Sequence, residues 1–419
     1  MFSIDQQMTC SALRGLPRAV GAPRIFMLNQ VAGPLAVELV TYLRDRGVAC
    51  RVLAGEFGGG PGQLAGVVLH QGRRLVKSGM VRRLWTWGLF TLQGIWAVIQ
   101  HRREDVLVVT NPPTLLLAMP WLKRLFGVRY ALLEYDIYPD IMERMGVVRS
   151  GGWIARMWRR FSREAMVNAR AVITISPDMA DTLRSHLRPD EEIAIDVVPT
   201  WVDTDAIGPV ERRENPFVRE HGLLGKFVVM YSGSFGATHD VASLVEAAGL
   251  MMDEPDVHFM LIGGGTCQAE LAEQIASRGL KNLTLLPFQP REVLPYSLAA
   301  ADCQMVTLDE AYAGISIPSK TYFAMAAGCA VLAVSPPRSG LTTLVTEGHC
   351  GLHVPPRRPA ELAAAIRRLR DDAALLTQCK ERARRLAEER FSRQRNLQEF
   401  FAVLAKSFGW DHAVADNRT

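Results

Sequence analysis

Three short stretches carry side chains that can do chemistry. In "GISIPSKTYFAMAAGCAVLA", residues 314–333, a proline, a serine and a lysine stand directly ahead of a run of small residues that closes on a glycine and an apolar strand. The pattern predicts a helix with Pro318 in its first turn, where the missing amide proton costs nothing, and with Gly328 as its stop. Ser319 and Lys320 then occupy the helix's positive end. A cation is misplaced there unless an anion visits, and the dipole alone, worth about half a charge, cannot neutralise a diphosphate of roughly two charges. A lysine on a solvated surface is the competing reading, because lysines are mostly exposed.

The second stretch is "YSGSFG", residues 231–236, with a companion in "IGGGT", residues 262–266. Glycines let the backbone approach a ligand, and free amides at a helix start favour anions. Neither loop has the GxGxxG spacing, or the acidic residue beyond it, of a nicotinamide site, and each also reads as a tight turn. The third is "LLEYDIYPD", which groups Glu134, Asp136 and Asp140 with Tyr135 and Tyr138. Carboxylates there can orient a hydroxyl or take its proton, and the aromatics can stack on a sugar. A capped turn with Asp140 opening a helix accounts for the same residues. His349 and His353 lie in a turn-to-strand passage, which does not suit a shared metal, and the seven scattered cysteines form no CxxC pair. A reducing, cytoplasmic setting fits them.

The elements that must position these groups alternate. From Arg24 the order strand, glycine loop, helix, strand recurs, and after a proline-rich, aperiodic passage near Asp205 a second such series begins at Phe227. The chain therefore reads as α/β, two Rossmann-like domains with parallel sheets. Residues 1–23 form a loose extension without the charged and apolar regions of a secretory signal. Residues 24–205 and 206–390 make the two domains, and 391–419 hold a terminal helix, able to cross back onto the first domain, and a tail. A net charge of +5 is too small for wholesale nucleic-acid binding. "LWTWGLFTLQGIWAVI", residues 84–99, is short of the about 20 residues of a spanning helix. Its basic borders and Trp85, Trp87 and Trp96 suit a helix lying in a membrane interface, or else a buried one. In "WIARMWRRFSREAM", the spacing of Trp153, Met157, Trp158 and Phe161 predicts a core-facing stripe, with Arg156, Arg159 and Arg160 on another face.

In series, "YDIYPD", "VITISPDMADTL", "PTWVD", "FVVMYSGSFG", "HFMLIGGG", "LPFQPREVLPYSLAAADC" and "PSKTYFAMAAGCAVLA" resemble the bacterial glycosyltransferases of family 4, with the GT-B architecture, from about Arg24 to about Phe401. The similarity is greatest to the subgroup that assembles exopolysaccharide, capsule or O-antigen. It implies transfer of a hexosyl or N-acetylhexosaminyl group from a nucleotide diphosphate sugar, with retention at the anomeric carbon and without a cofactor or metal ion. The acceptor it implies is a polyprenyl-diphosphate-linked glycan, met by a peripheral enzyme on the cytoplasmic face of the inner membrane.

The same resemblance assigns roles. The donor diphosphate would lie between Gly233, Ser234, Phe235, Gly236 and His239 on one side and Pro318, Ser319 and Lys320 on the other, with Gly264 nearby. Lys320 would offset charge on the leaving group. The base would fall near Pro287 and Phe288, Gly33 would let the first domain's backbone approach the donor, and Asp136, with Tyr135, Tyr138 and Asp140, would face the sugar or acceptor. The chain departs from the pattern in three places. Ile315 and Phe323 stand where many members have a glutamate pair, "SFGATHD" lacks their arginine and lysine, and Tyr135 replaces a histidine. A catalytically inactive partner subunit is the alternative these departures raise.

Overall fold

The computed structural model describes residues 22–58, 62–76, 79–236, 239–315 and 317–410, so most of the 1–23 extension and the tail beyond 410 lie outside the described residues. Seven strands, β1 (Arg24–Leu28), β2 (Ala49–Ala54), β3 (Val68–Gln71), β4 (Asp105–Val109), β5 (Tyr130–Glu134), β6 (Ala171–Thr174) and β7 (Ile195–Val197), pair in the order β3-β2-β1-β4-β5-β6-β7. Every pairing is parallel. Six more, β8 (Phe227–Ser234), β9 (Val257–Gly264), β10 (Leu283–Leu286), β11 (Cys303–Thr307), β12 (Ala330–Val334) and β13 (Gly351–Val354), form a second parallel sheet in the order β10-β9-β8-β11-β12-β13. Near-continuous apolar runs such as the fully buried DVLVV of β4 and AVLAV of β12 suit strands covered on both faces.

In the first domain, α1 (Pro34–Asp45) packs on one side of the sheet. On the other side lie α2 (Met80–Gln100), α3 (Met119–Phe126), α5 (Trp153–Asn168) and α6 (Pro177–Ser185), with the short α4 (Asp140–Arg144) between them in sequence. In the second domain the helices that matter to the site are α7 (Lys320–Ala326) and α8 (Gly340–Glu347). A last helix, α9 (Arg393–Phe408), puts Leu397, Phe400, Leu404 and Phe408 into the same apolar cluster as Ile25, Leu39 and Val40, on the α1 side of the first sheet. The chain thus crosses between domains twice, and the crossings are tied. Val202 N donates to Phe391 O and Arg393 N to Val202 O, both at 2.9 Å.

Two helices differ from what their sequences suggest. On α2, Trp87 is 2% exposed and packs edge-on against Tyr138, so it belongs to the core and not to an outer face. On α5 the stripe is split, with Trp158 packed against the core beside Tyr138 and other members turned outward. Trp153 is 70% and Met157 41% exposed, while the buried residues are Ala155, Ser162, Arg163, Ala165 and Met166. Arg159 is held inward by Asp140 and Glu143, and small side chains let α5 sit close to α3.

Candidate active site

Open parallel sheets bind ligands beyond the carboxyl ends of their strands, at the point where strand order reverses. Here the reversals lie between β1 and β4 and between β8 and β11. Gly33 follows β1 and caps α1 with φ −70°, and an added Cβ would meet nothing within 4 Å. Its side of the cleft is open space, not a tight contact. Gly233 lies near the end of β8 with φ +146°, a conformation that a side chain opposes, and an added Cβ would come 3.1 Å from Lys320 Nζ.

That lysine is the centre of the site. Ser319 is the N-cap of the seven-residue α7 and makes no side-chain cap bond, so Pro318 precedes the cap and is not in the first turn. Lys320 is half-buried, and its Nζ donates to the Tyr231 hydroxyl at 2.6 Å while lying 4.1 Å from that ring's centroid. Tyr231 is fully buried and donates in turn to Ser234 O. No carboxylate pairs with Lys320 among the described residues. Burial pulls its ammonium down to about 8, which still leaves it largely charged at neutral pH. A partly desolvated cation held by a neutral hydroxyl and a ring face is a site for an anion.

His239 is near enough for the Lys320 charge, added to burial, to hold its imidazole below the usual value. Gly236 abuts the same imidazole. Phe235 is different from its neighbours. Its ring is fully buried and its amide is bound to Gly264 O, so it builds the turn and offers a ligand nothing. An added Cβ on Gly264 would lie 3.5 Å from the Phe288 ring, which is 60% exposed beyond β10 beside Pro287. An exposed flat ring next to a glycine can take a nucleobase.

On the first-domain side, Asp136 and Tyr135 follow β5. Burial raises the Asp136 carboxyl to about 6 against the opposing pull of Arg83. Glu134, 5% exposed, is pushed up to about 8 by burial and then by the Asp136 charge. Tyr138 stacks on Trp158 at 6.0 Å. Asp140 neither caps α4 nor faces outward. It is engaged by Arg159 and by His186 at 3.2 Å, which ties α4 to α5 and α6. The structure thus gathers Gly233, Gly236, His239 and Lys320 into one cradle, puts Gly264 and Phe288 beside each other, and gives Phe235 and Asp140 to the scaffold.

The domains touch through the loop ahead of α7. Thr182 Oγ1 donates to Gly314 O at 2.7 Å, Arg144 bonds Ala311 O and Ala313 O, and Asp178 accepts from Gly340 N at 3.0 Å. A cavity of about 1010 Å³ opens between the domains on the hinge side, with Asp178, Gly314, Arg338 and Phe391 in its wall. Lys320 and Asp136 are not part of that wall, so the cavity adjoins the cradle without containing it. Tyr231, the anchor of Lys320, escaped the sequence-based reading. Its only signal there was its place at the end of a strand facing a glycine turn.

Two family models match, one per domain: Glycosyltransferase Family 4 over residues 32–206 and Glycosyl transferases group 1 over residues 214–386. The chain is 27% identical to the probable glycosyltransferase WbjE of Pseudomonas aeruginosa, over 63% of its length and 66% of that protein. It is 27% identical to the putative colanic acid biosynthesis glycosyl transferase WcaI of Escherichia coli K12, over 76% of its length and 79% of that protein. Among solved structures it shares its fold with Anabaena HepE, crystallised with UDP and glucose, at a TM-score of 0.69 and 18% identity over 92% of this chain and all of the other. WaaG, a glycosyltransferase involved in lipopolysaccharide biosynthesis, matches at 0.65 and 15% identity over 89% of this chain and 98% of that one.

Proposed function

Because the chain belongs to glycosyltransferase family 4 and has the GT-B fold, we propose that it transfers a hexosyl or N-acetylhexosaminyl group from a nucleotide diphosphate sugar, with retention, to a polyprenyl-diphosphate-linked glycan in cell-surface polysaccharide synthesis. The observation that carries this is the Lys320 ammonium, held over the Gly233 turn by Tyr231 and lacking a carboxylate partner among the described residues. As the glycosidic bond breaks, charge accumulates on the departing diphosphate. A preplaced cation and backbone dipoles stabilise that charge more than they stabilise the bound donor, which is what accelerates the step. In this reading no metal ion is needed to carry the charge, Phe288 lies against the base, and Asp136, ionised at neutral pH, orients the acceptor hydroxyl or the sugar.

The membrane part of the proposal rests on the outer face of the layer formed by α2, α3 and α5. Trp85, Trp96, Trp121 and Trp153 are 66%, 64%, 54% and 70% exposed there, with Leu92, Leu125 and Ile154 also exposed. Neither α2 nor α3 has a carboxylate, and α5 has only Glu164, against Arg82, Lys123, Arg124, Arg156 and Arg160. Exposed indoles among cations fit an anionic bilayer surface. No helix among the described residues is long and apolar enough to cross a membrane.

The test is release of nucleoside diphosphate by the purified protein from uridine, guanosine and adenosine diphosphate sugars. Lys320→Ala is expected to lower turnover by about 10²-fold or more, the scale for losing one electrostatic donor to the transition state. Wild-type turnover in that variant sinks the mechanism. The buried Ile315, in place of a glutamate, favours one other reading, a subunit that binds donor without using it. Donor binding by thermal shift, with no release from any of the three sugars, is its signature.

A further inference from the structure

Between Glu56 and Glu104 the sequence contains no carboxylate and seven cations, Arg73, Arg74, Lys77, Arg82, Arg83, Arg102 and Arg103. The centre of this run is the start of α2, a 21-residue helix whose N-cap, Gly79, makes no side-chain bond and whose first turn carries no acid. Its positive end is uncompensated. Arg73, Arg74 and Arg82 are exposed, and none of them has a carboxylate partner among the described residues.

Arg83 is the member that turns inward. It is half-buried, its guanidinium lies 5.6 Å from the Trp87 ring centroid, and Trp87 in turn meets Tyr138 edge-on at 6.0 Å. Its charge acts on both Asp136 and Tyr138, drawing each toward its ionised form. Yet no ion pair joins it to Asp136, its Nε is buried without a hydrogen-bond partner, and so is the indole nitrogen of the 2%-exposed Trp87. A guanidinium with a buried donor left over, whose charge the acceptor-side carboxylate feels without pairing to it, can take an anion.

We propose that Arg83 receives the phosphate or diphosphate of the lipid-linked acceptor and so determines specificity for an anionic acceptor. The inference rests on the lipid-linked reading above and extends it to a named residue. It also explains the two-sided build of α2. Trp85 and Trp96 face outward toward lipid, while Arg83, from the same helix, lies over Trp87, which packs on Tyr138 in the loop after β5, so an acceptor anchored in the bilayer presents its head group on the Asp136 side of α2. Arginine suits the task because its planar fork can bind two phosphate oxygens at once.

The experiment titrates the full-length protein with farnesyl diphosphate and with farnesol by calorimetry, and compares Arg83→Gln, Arg83→Lys and Lys320→Ala. The wild type is expected to bind the diphosphate at least about tenfold more tightly than the alcohol, the worth of a charge-assisted bond. Arg83→Gln removes that preference, Arg83→Lys keeps part of it, because an ammonium supplies the charge without the fork, and Lys320→Ala keeps it in full. The proposal is overturned by an Arg83→Gln variant that binds farnesyl diphosphate like the wild type, by a preference that Lys320→Ala abolishes, or by no rescue in Arg83→Lys. It is also overturned if Arg83→Gln weakens binding to phosphatidylglycerol vesicles as much as to farnesyl diphosphate, since the arginine then reads lipid head groups. Nucleotide-sugar turnover is measured on the same preparation. Its absence in the wild type counts against transferase activity, and the Arg83 binding result stands or falls separately.

Discussion

The Lys320 cradle makes a quantitative statement about pH. The free ammonium titrates at about 8 because burial disfavours its charge, and a bound diphosphate reverses that balance and lifts it well above. Only the protonated lysine then binds donor diphosphate strongly. From pH 7 to pH 9 the protonated fraction falls from about nine-tenths to about one-tenth, so affinity should fall about tenfold, or about 1.4 kcal/mol. Neighbouring groups leave this window clear. Burial and the Lys320 charge hold His239 below 6.5, burial holds the Tyr231 hydroxyl far above the window, and a terminal phosphate with a pKa of about 6 is already about nine-tenths ionised at pH 7. The assay is calorimetric titration with a nucleoside diphosphate at several pH values, in two buffers of different ionisation enthalpy. About half a proton should be taken up per binding event at pH 8, and Lys320→Ala should abolish both the uptake and the slope. A wild-type affinity that changes less than about twofold between pH 7 and pH 9, or a Lys320→Ala variant with the same slope, refutes the contact between this ammonium and the diphosphate.

Tyr231→Phe keeps the ring under Lys320 but removes the hydroxyl that accepts from Nζ, so the alkaline limb of kcat/KM should move to lower pH by up to about one unit; an unmoved limb assigns the tyrosine to packing alone. Replacing Trp85, Trp96, Trp121 and Trp153 together by serine should leave the melting temperature near wild type, since all four are exposed, and abolish sedimentation with phosphatidylglycerol vesicles. Trp87→Ser, by contrast, should destabilise the fold by about 3–5 kcal/mol. Retained sedimentation of the fourfold variant would show that this face does not meet lipid. Glu134 is raised from 4.5 to about 8, so the folded state holds its proton more tightly, and the resulting stability is complete below pH 4.5 and lost as pH rises through 8. Glu134→Gln should therefore melt like the wild type near pH 5 and higher than it above pH 8.

Periodicity made the two sheets legible, because strands buried on both faces leave continuous apolar runs and helices leave a stripe. It could not say which way a helix faces once both of its faces are apolar. Trp87 and Trp85 are two residues apart on α2 and go to opposite environments, a difference set by Tyr138 across the layer, not by residue type. The outward turn of Trp153 and Met157 has the same origin. Ala155, Ala165 and Ser162 are small enough to bring α5 close to its neighbours, and Arg159 is drawn in by two carboxylates from α4. At the site, Lys320 announced itself through its place ahead of a helix of small residues. Tyr231 and Arg83 did not, because their meaning depends on neighbours 89 residues away in one case and on the packing of Trp87, under the guanidinium, against Tyr138 in the other.

The loop that carries Lys320 also explains the buried aliphatic residue at position 315. Ile315 has no exposed surface and joins the first domain's apolar cluster with Ile137, Ile141 and Met179, although its chain neighbours belong to the second domain. Thr182 and Arg144 hold the adjoining carbonyls of Gly314 and Ala313. The segment ahead of α7 is therefore anchored on the opposite lobe, and Lys320 lies only five residues beyond the anchor. A chain that short spans at most about 18 Å, so the ammonium cannot follow the second domain far if the lobes separate. The apolar contact fixes the cradle relative to the first domain by packing. Its removal has a distinct kinetic signature. Ile315→Ala should loosen the loop and raise KM for donor, while leaving the pH dependence that Lys320 imposes unchanged.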